Sequence, residues 1–179
     1  MDLAKPEANL VLTGYSGTGK STVGRILAAR WQWKFVDINA ILEERENCRL
    51  ARLVQVRGQE YVDRKEEELI AGIAAGRQLV VAAGARTLLS ERNFLNLKQN
   101  GVLIGLTAEP GIILLRTCAP WKDRTALLKS KEVLQTIRQV IKERESFSRK
   151  PDYTIDTSEL TPEQVAEKIE ALLVVSKKE

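Results

Sequence analysis

The sequence of 179 residues contains no histidine and only two cysteines. Without histidine there is neither a His-based catalytic triad nor a His-ligated zinc site, so any general base must be a carboxylate, a lysine or a tyrosine. Cys48 and Cys118 lie far apart in the sequence and fit no metal-ligand or redox spacing. We therefore expect them to be reduced structural thiols.

Long apolar runs are missing as well, since no stretch approaches the roughly 18 residues that a membrane-spanning helix needs. Residues 1–6 include the charged Asp2 and Lys5 and leave no room for a signal peptide before the first predicted strand. The net charge of +4 includes no basic block beyond Lys177-Lys178, which argues against nucleic acid as a partner. These features predict a cytoplasmic, monomeric protein without a membrane partner, formed by a single domain over residues 1–179.

The most informative segment is Gly14-Tyr15-Ser16-Gly17-Thr18-Gly19-Lys20-Ser21-Thr22, which fits the phosphate-binding pattern G-x-x-x-x-G-K-[ST]. A predicted buried strand at 9–13 precedes it, and a helical apolar pattern at 22–30 follows it. In such a loop the backbone N–H groups surround phosphate oxygens, the lysine reaches the terminal phosphates and the serine hydroxyl ligates Mg²⁺. The motif therefore predicts a nucleotide site. The alternative is a glycine-rich turn without a ligand. The predicted nucleotide-binding residues of the loop are Gly14, Gly17, Thr18, Gly19, Lys20, Ser21 and Thr22.

Short apolar segments and amphipathic helical patterns alternate along the rest of the chain. Further strands are predicted at 34–37, 78–83, 102–106 and 153–156, and helices at 60–75, 87–99, 110–117, 131–147 and 161–174. The last helix has a capping signature, with Thr161 as N-cap and Gln164 three residues later. This alternation predicts an α/β fold with a parallel sheet covered by helices on both faces.

A charged segment at 119–130, with Pro120, Trp121, Lys122, Asp123 and Arg124, separates two of these helices. We expect it to be a mobile lid that closes over a bound nucleotide and excludes water. A plain surface loop is the alternative.

With these elements identified, nearly the whole sequence resembles the shikimate kinases, a family of P-loop kinases. The segment Phe35-Val36-Asp37-Ile38-Asn39 is similar to the family's aromatic-x-Asp-x-Asp segment. Gly58 and the acidic helix after it are similar to the family segment Gly-Glu-x-x-Phe-Arg-x-x-Glu, with Glu66 in the place of the final Glu. Gly84 begins the counterpart of the family's Gly-Gly-Gly turn. The resemblance implies a three-layer P-loop fold with a five-stranded sheet in the order 2-3-1-4-5, ATP as donor, Mg²⁺ as cofactor and a small hydroxyl compound as acceptor.

The resemblance also implies roles for residues outside the loop. Arg116 resembles the arginine near the adenine, Arg124 the lid arginine, and Arg144 the arginine that contacts the acceptor's carboxylate. No aspartate follows the third strand, so Asp37 is the candidate carboxylate for Mg²⁺, together with Ser21. The catalytic residues expected on this basis are Lys20, Asp37 and Arg124, and the expected acceptor-binding residues are Asn39, Gly84, Arg86 and Arg144.

The departures from the family pattern fall on the acceptor side. They are Asn39 for the second Asp, Val62 for Phe, Asp63 for Arg, and Ala85 and Arg86 for two glycines. Arg64 lies one position past the expected arginine, and a rotation of about 100° along the helix directs it elsewhere. Arg86 either contacts a carboxylate or phosphate from the opposite wall or forms a surface salt bridge. Asn39 cannot accept a proton at neutral pH, which leaves Asp37 or the γ-phosphate to receive it.

We therefore expect an ATP-dependent small-molecule kinase of shikimate kinase type, with shikimate as the first acceptor to test and with weakened recognition of it. Two alternatives remain open. One is a nucleotide-binding regulator or pseudokinase on the same fold, which keeps the phosphate loop without acceptor chemistry. The other is a kinase of another small acid, a sugar or a nucleotide.

Overall fold

The computed structural model of the chain describes residues 8–117, 135, 138–139 and 150–175. Within these residues five parallel strands form one sheet in the order β2-β3-β1-β4-β5. The strands are β1 (Asn9–Gly14), β2 (Lys34–Asp37), β3 (Leu79–Ala82), β4 (Gly101–Thr107) and β5 (Tyr153–Asp156). The predicted parallel sheet and its strand order are confirmed.

Helices cover both faces of this sheet. In the described residues they are α1 (Lys20–Trp31), α2 (Ile38–Glu46), α3 (Leu50–Arg57), α4 (Gln59–Ala74), α5 (Glu91–Gln99), α6 (Pro110–Thr117) and α7 (Pro162–Val175). Leu10 and Leu12 of β1 pack in one cluster with α1 and α7, while Val11 between them packs with α2, α4 and α5. Because successive side chains of a strand point to opposite faces, an uninterrupted apolar strand is buried on both sides.

The start of α7 follows the predicted capping signature. The Gln164 backbone N–H donates to the Thr161 hydroxyl at 3.2 Å, and the Thr161 N–H donates to the Gln164 side-chain oxygen at 2.9 Å. Each side chain thus satisfies a backbone donor that the first helical turn leaves without a partner.

The helix predicted at 87–99 is wrong as a single helix. A short 3₁₀ helix covers Thr87–Leu89, and α5 begins only at Glu91. Ser90 between them has extended backbone angles, and its hydroxyl accepts a hydrogen bond from the Asn93 N–H at 3.3 Å. A serine side chain that accepts a hydrogen bond from a backbone N–H of the next helical turn caps the N-terminus of a new helix. This role is incompatible with continuing the preceding helix through the serine.

Two helices, α2 and α3, were not predicted. β2 ends at Asp37, whose carboxylate accepts from the Ala40 N–H at 3.2 Å and caps α2. Asn39 therefore lies in the first turn of α2, two residues after β2 ends as predicted.

The predicted lid at 119–130 lies outside the described residues, and so does the helix predicted at 131–147 apart from residues 135 and 138–139. Among the helices that the structure describes, none combines the length and the apolar character needed to cross a membrane.

Candidate active site

The glycine-rich loop connects β1 to α1 at the carboxyl edge of the sheet. Gly14, Gly17 and Gly19 have φ angles of 142°, 83° and 96°, which side chains rarely tolerate. A Cβ atom at Gly14 would lie 2.2 Å from the Leu106 carbonyl oxygen, and one at Gly17 would lie 2.8 Å from the Thr117 methyl carbon. The glycines thus let the loop run close to β4 and α6. The loop leads directly into the positive N-terminal end of α1, where a phosphate is electrostatically favoured.

The side chain of Lys20 lies back over this loop. Its Nζ donates to the Tyr15 carbonyl oxygen at 2.8 Å, and the Thr18 hydroxyl donates to the same oxygen at 2.8 Å. None of the ion pairs in the described residues involves Lys20. Burial lowers the pKa of Lys20 to about 8, against a smaller opposing effect of the Asp37 charge. A desolvated ammonium without a carboxylate partner is a site suited to an anion.

Ser21 and Asp37 meet beside Lys20. The Ser21 hydroxyl donates to Asp37 Oδ2 at 2.6 Å, so two oxygen ligands of the kind that Mg²⁺ prefers lie together at the start of α1 and the end of β2. Among the described residues there is no group of three or more His, Cys, Asp or Glu side chains that could hold a metal ion. The pair fits Mg²⁺, which commonly takes one or two protein oxygens and completes its shell with phosphate and water.

Arg116 reaches the same loop from α6. Its guanidinium donates to the Thr157 carbonyl oxygen at 2.8 Å and to the Thr157 hydroxyl oxygen at 2.9 Å, with a longer bond of 3.4 Å to the Gly17 carbonyl oxygen. The buried Thr157 hydroxyl lies 3.2 Å from the Thr18 carbonyl oxygen. Thr157 was not predicted as a site residue. Its position directly after β5, at the sheet edge where ligands bind in open α/β folds, is the signal that could have identified it.

The opposite side of the cavity is formed by the first turn of α2 and by the turn that follows β3. Asn39 lies on α2, and a Cβ atom at Gly84 would be 3.8 Å from its Oδ1. Gly84 is held in place because its carbonyl oxygen accepts from the Thr13 hydroxyl at 3.4 Å and from the Thr87 N–H at 3.1 Å. Gly84 therefore lies next to Asn39, and Arg86 of the same turn lines the same cavity.

Glu66 of α4 fixes the turn after β3 through hydrogen bonds to its carboxylate. It is buried, and its carboxylate accepts from the Thr87 hydroxyl at 2.7 Å and from the Asn93 amide at 3.5 Å. Burial raises the pKa of Glu66, while the hydrogen bond from Thr87 acts in the opposite direction.

A second carboxylate of α4, Asp63, lies 3.6 Å from the Arg86 guanidinium through its Oδ2, and its Oδ1 accepts from the Gln59 amide at 2.7 Å. This ion pair was not predicted between these two residues. By contrast, Arg64 is directed elsewhere, with its guanidinium 5.5 Å from the centre of the Tyr61 ring. Arg64 is also absent from the residues that line the cavity.

One cavity of about 820 Å³ joins the two sides. The predicted site residues that line it are Gly14, Gly17, Thr18, Gly19, Lys20, Ser21, Thr22, Asp37, Asn39, Gly84, Arg86 and Arg116. Arg124 and Arg144 lie outside the described residues. The fold therefore brings together every predicted site residue that the structure describes.

Comparison with known proteins gives a consistent result. The family model for shikimate kinase matches residues 16–173. The shikimate kinase of Thermoanaerobacter pseudethanolicus is 37% identical over 161 residues, which cover 90% of this chain and 93% of that protein. The shikimate kinase of Thermodesulfovibrio yellowstonii is 33% identical over 163 residues, covering 90% and 92%.

Solved structures agree with this result. The shikimate kinase of Acinetobacter baumannii, solved in complex with shikimate, superposes with a TM-score of 0.83 at 26% identity and covers 97% of this chain and 96% of that one. The enzyme of Bacteroides thetaiotaomicron shares the fold with a TM-score of 0.80 at 23% identity over 93% of this chain and 98% of that one. The phosphate loop, the parallel sheet and these likenesses lead to one conclusion: the chain belongs to the shikimate kinase family and is an ATP-dependent kinase of a small molecule.

Proposed function

We propose that the chain transfers the γ-phosphate of ATP, with Mg²⁺ as cofactor, to a hydroxyl of a small hydroxy acid, and that shikimate is the first acceptor to test. The observation that carries the proposal is the desolvated Lys20 ammonium, which has no ion-pair partner among the described residues and lies beside the Ser21–Asp37 pair. We propose that the enzyme acts as a monomer in the cytoplasm, in line with its expected single domain over residues 1–179.

Lys20 and the loop N–H groups are the residues that hold the phosphates. Lys20 already donates to the Tyr15 carbonyl oxygen at 2.8 Å and needs only to turn toward a phosphate oxygen above the loop. The charge of Lys20 then opposes the negative charge that accumulates on the phosphates as the bond to the leaving ADP breaks.

Ser21 and Asp37 are the residues that would hold Mg²⁺. The 2.6 Å contact between them fixes the Asp37 carboxylate, whose other oxygen is held by the Ala40 N–H. When bound, the ion would neutralise phosphate charge and orient the terminal phosphate.

The acceptor would lie between Asn39, Gly84 and Arg86. In the transfer, the acceptor oxygen forms the new bond to the γ-phosphorus, the bond from that phosphorus to the bridging oxygen breaks, and ADP leaves. Because a loose transition state needs little base catalysis, the hydroxyl proton passes to a phosphoryl oxygen. Asn39 donates or accepts a hydrogen bond at the reacting hydroxyl but does not take its proton.

Two measurements test the proposal. ATP with Mg²⁺ should raise the melting temperature, because a ligand that binds only the folded state stabilises it. A coupled assay should then detect ADP release that depends on shikimate. Lys20→Ala should abolish both signals. Lys34→Ala, which removes an exposed lysine of β2 that does not line the cavity, is the matched control and should preserve both.

The two measurements separate the candidate functions. No thermal shift at millimolar nucleotide contradicts nucleotide binding itself. A shift without ADP release for shikimate, other small acids or sugars contradicts the kinase proposal and favours a nucleotide-binding regulator, which the altered acceptor positions would explain.

A further inference from the structure

Arg86 is carried by a turn whose backbone is held at several points. The Thr87 N–H donates to the Gly84 carbonyl oxygen at 3.1 Å, and the Leu89 N–H donates to the Arg86 carbonyl oxygen at 2.9 Å. The Thr87 hydroxyl is bonded to buried Glu66 on α4 at 2.7 Å. These contacts fix the position of the Arg86 backbone, and the Arg86 side chain lines the cavity.

The guanidinium of Arg86 is only loosely engaged. Its one ion pair in the described residues is to Asp63 Oδ2 at 3.6 Å, beyond hydrogen-bonding distance, and the two side chains are 43% and 45% exposed. Such a half-exposed pair contributes little to stability. The Asp63 carboxylate is held in place because its Oδ1 accepts a hydrogen bond from the Gln59 amide at 2.7 Å. The neighbouring Arg86 guanidinium keeps most of its five N–H donors available for a ligand.

The other charges near Arg86 make it the place where an anion would bind. The charged groups that line this side of the cavity, within the part of the chain that the structure describes, are the carboxylates of Asp37, Glu43, Asp63 and Glu66 and the single guanidinium of Arg86. A carboxylate-bearing acceptor is repelled by the acidic groups. Of these described groups, the guanidinium fork of Arg86 is the one that can donate two parallel hydrogen bonds to a carboxylate.

We propose that Arg86 is the acceptor-specificity residue of this chain: it binds the carboxylate of a hydroxy-acid acceptor, and Asp63 positions its guanidinium. This inference rests on the proposed function. The family pattern has an arginine at position 63 of α4 and a glycine at position 86 of the turn. This chain has Asp63 and Arg86, so the positively charged side chain has moved from α4 to the turn that faces it.

The exchange suggests a direct experiment with four proteins: the parent, Arg86→Gly, the double variant Asp63→Arg with Arg86→Gly, and Arg64→Gln. The last removes an exposed arginine of the same helix that stacks near Tyr61 and does not line the cavity. Shikimate and its uncharged methyl ester are compared as acceptors in the coupled assay. Equilibrium binding of both compounds is measured by calorimetry in the presence of ADP, which needs no turnover.

Arg86→Gly should raise the KM and the dissociation constant for shikimate by about tenfold or more, while the KM for ATP and the values for the ester change less than about threefold. The double variant should recover most of the loss, because it returns a cation to the facing wall. Arg64→Gln should behave like the parent.

Three results would overturn the inference. One is an equal effect of Arg86→Gly on the acid and the ester, which means that the arginine supports the turn and not the anion. Another is an unchanged shikimate affinity in Arg86→Gly. The third is a double variant no better than Arg86→Gly. If the parent binds shikimate through Arg86 but releases no ADP, the proposed function fails while the inference stands. If the parent releases ADP and Arg86→Gly retains the parent's KM, the function stands and the inference fails.

Discussion

Nucleotide binding should take up a proton at mildly alkaline pH, because of Lys20. Burial lowers the pKa of its ammonium from 10.5 to about 8, so charging this amine in the empty site is disfavoured by about 3 kcal/mol relative to water. A phosphate beside the amine favours the charged form and raises its pKa again. At pH 8 about half of the empty sites hold the neutral amine, and binding should therefore take up about 0.5 proton per nucleotide.

The sign of this linkage fixes the pH dependence. For a lysine whose pKa is lowered in the free protein and raised in the complex, the contribution of the lysine to affinity is constant below about pH 8. Above it, affinity falls by up to about tenfold per pH unit until the pKa of the complex is reached. The same lowered pKa disfavours the folded, empty protein below the unfolded pKa of 10.5, and this penalty decreases as pH rises from about 8.

Titration calorimetry of ADP in two buffers with different ionisation enthalpies measures the proton uptake directly. At pH 8 the nucleotide phosphates are fully ionised, so the uptake belongs to the protein. Lys20→Arg is the control, because a guanidinium remains charged throughout this range and its uptake should be absent. Equal heats in both buffers for the parent protein would refute the argument, since they would mean that the Lys20 ammonium is already fully charged in the empty site.

Three further predictions concern the metal pair, the buried glutamate and the acceptor side. Asp37→Asn should weaken the enhancement of nucleotide binding by Mg²⁺ by roughly tenfold or more, and a variant with the parent's Mg²⁺ response would assign Asp37 another role. Because burial raises the pKa of Glu66 above its unfolded value of 4.5, the free energy of unfolding of the parent should fall as pH rises from 4.5 through the raised pKa. Glu66→Gln should lack this decrease. Urea-unfolding measurements from pH 4 to 8 that give parallel profiles for the two proteins would contradict the prediction. Restoring the family pattern should raise kcat/KM for shikimate by about tenfold or more. If the parent already turns over shikimate about 10 times per second with a KM below about 1 mM, its acceptor site is complete and this prediction is wrong. The restoring changes are Asn39→Asp, Asp63→Arg, Ala85→Gly and Arg86→Gly.

The sheet could be predicted from the sequence because its signals are local. Each strand is a short apolar run, and the glycines of the phosphate loop stand at a spacing that few other structures require. The helix predicted at 87–99 failed for an equally local reason. The apolar periodicity runs through Ser90 without a break, and only the serine's own hydrogen bond to the Asn93 N–H ends one helix and begins another.

The helices α2 and α3 were not predicted, because the family pattern at 37–39 specifies residue types and not backbone conformation. Asp37 is at once the last residue of β2, the cap of α2 and the partner of Ser21. A carboxylate at the end of a strand beside a phosphate loop predicts the last role. The first role was also predicted, since the strand was expected at 34–37, but the capping role depends on the backbone turning into a helix after Asp37, which the residue type allows but does not require.

The two sides of the cavity differ in how far a sequence can specify them. On the nucleotide side a phosphate loop binds phosphate mainly through backbone N–H groups, so the glycine spacing predicts the site, and Lys20 and Ser21 have fixed places in the motif. On the acceptor side the cavity is lined by side chains from α2, α4 and the turn after β3, which are distant in sequence. The pairing of Asp63 with Arg86 across 3.6 Å joins residues 23 positions apart, and neither position indicates it alone. The exchange can be recognised only when the fold places α4 against the turn. We therefore interpret the altered motif of this chain as a relocated positive charge and not as a lost one.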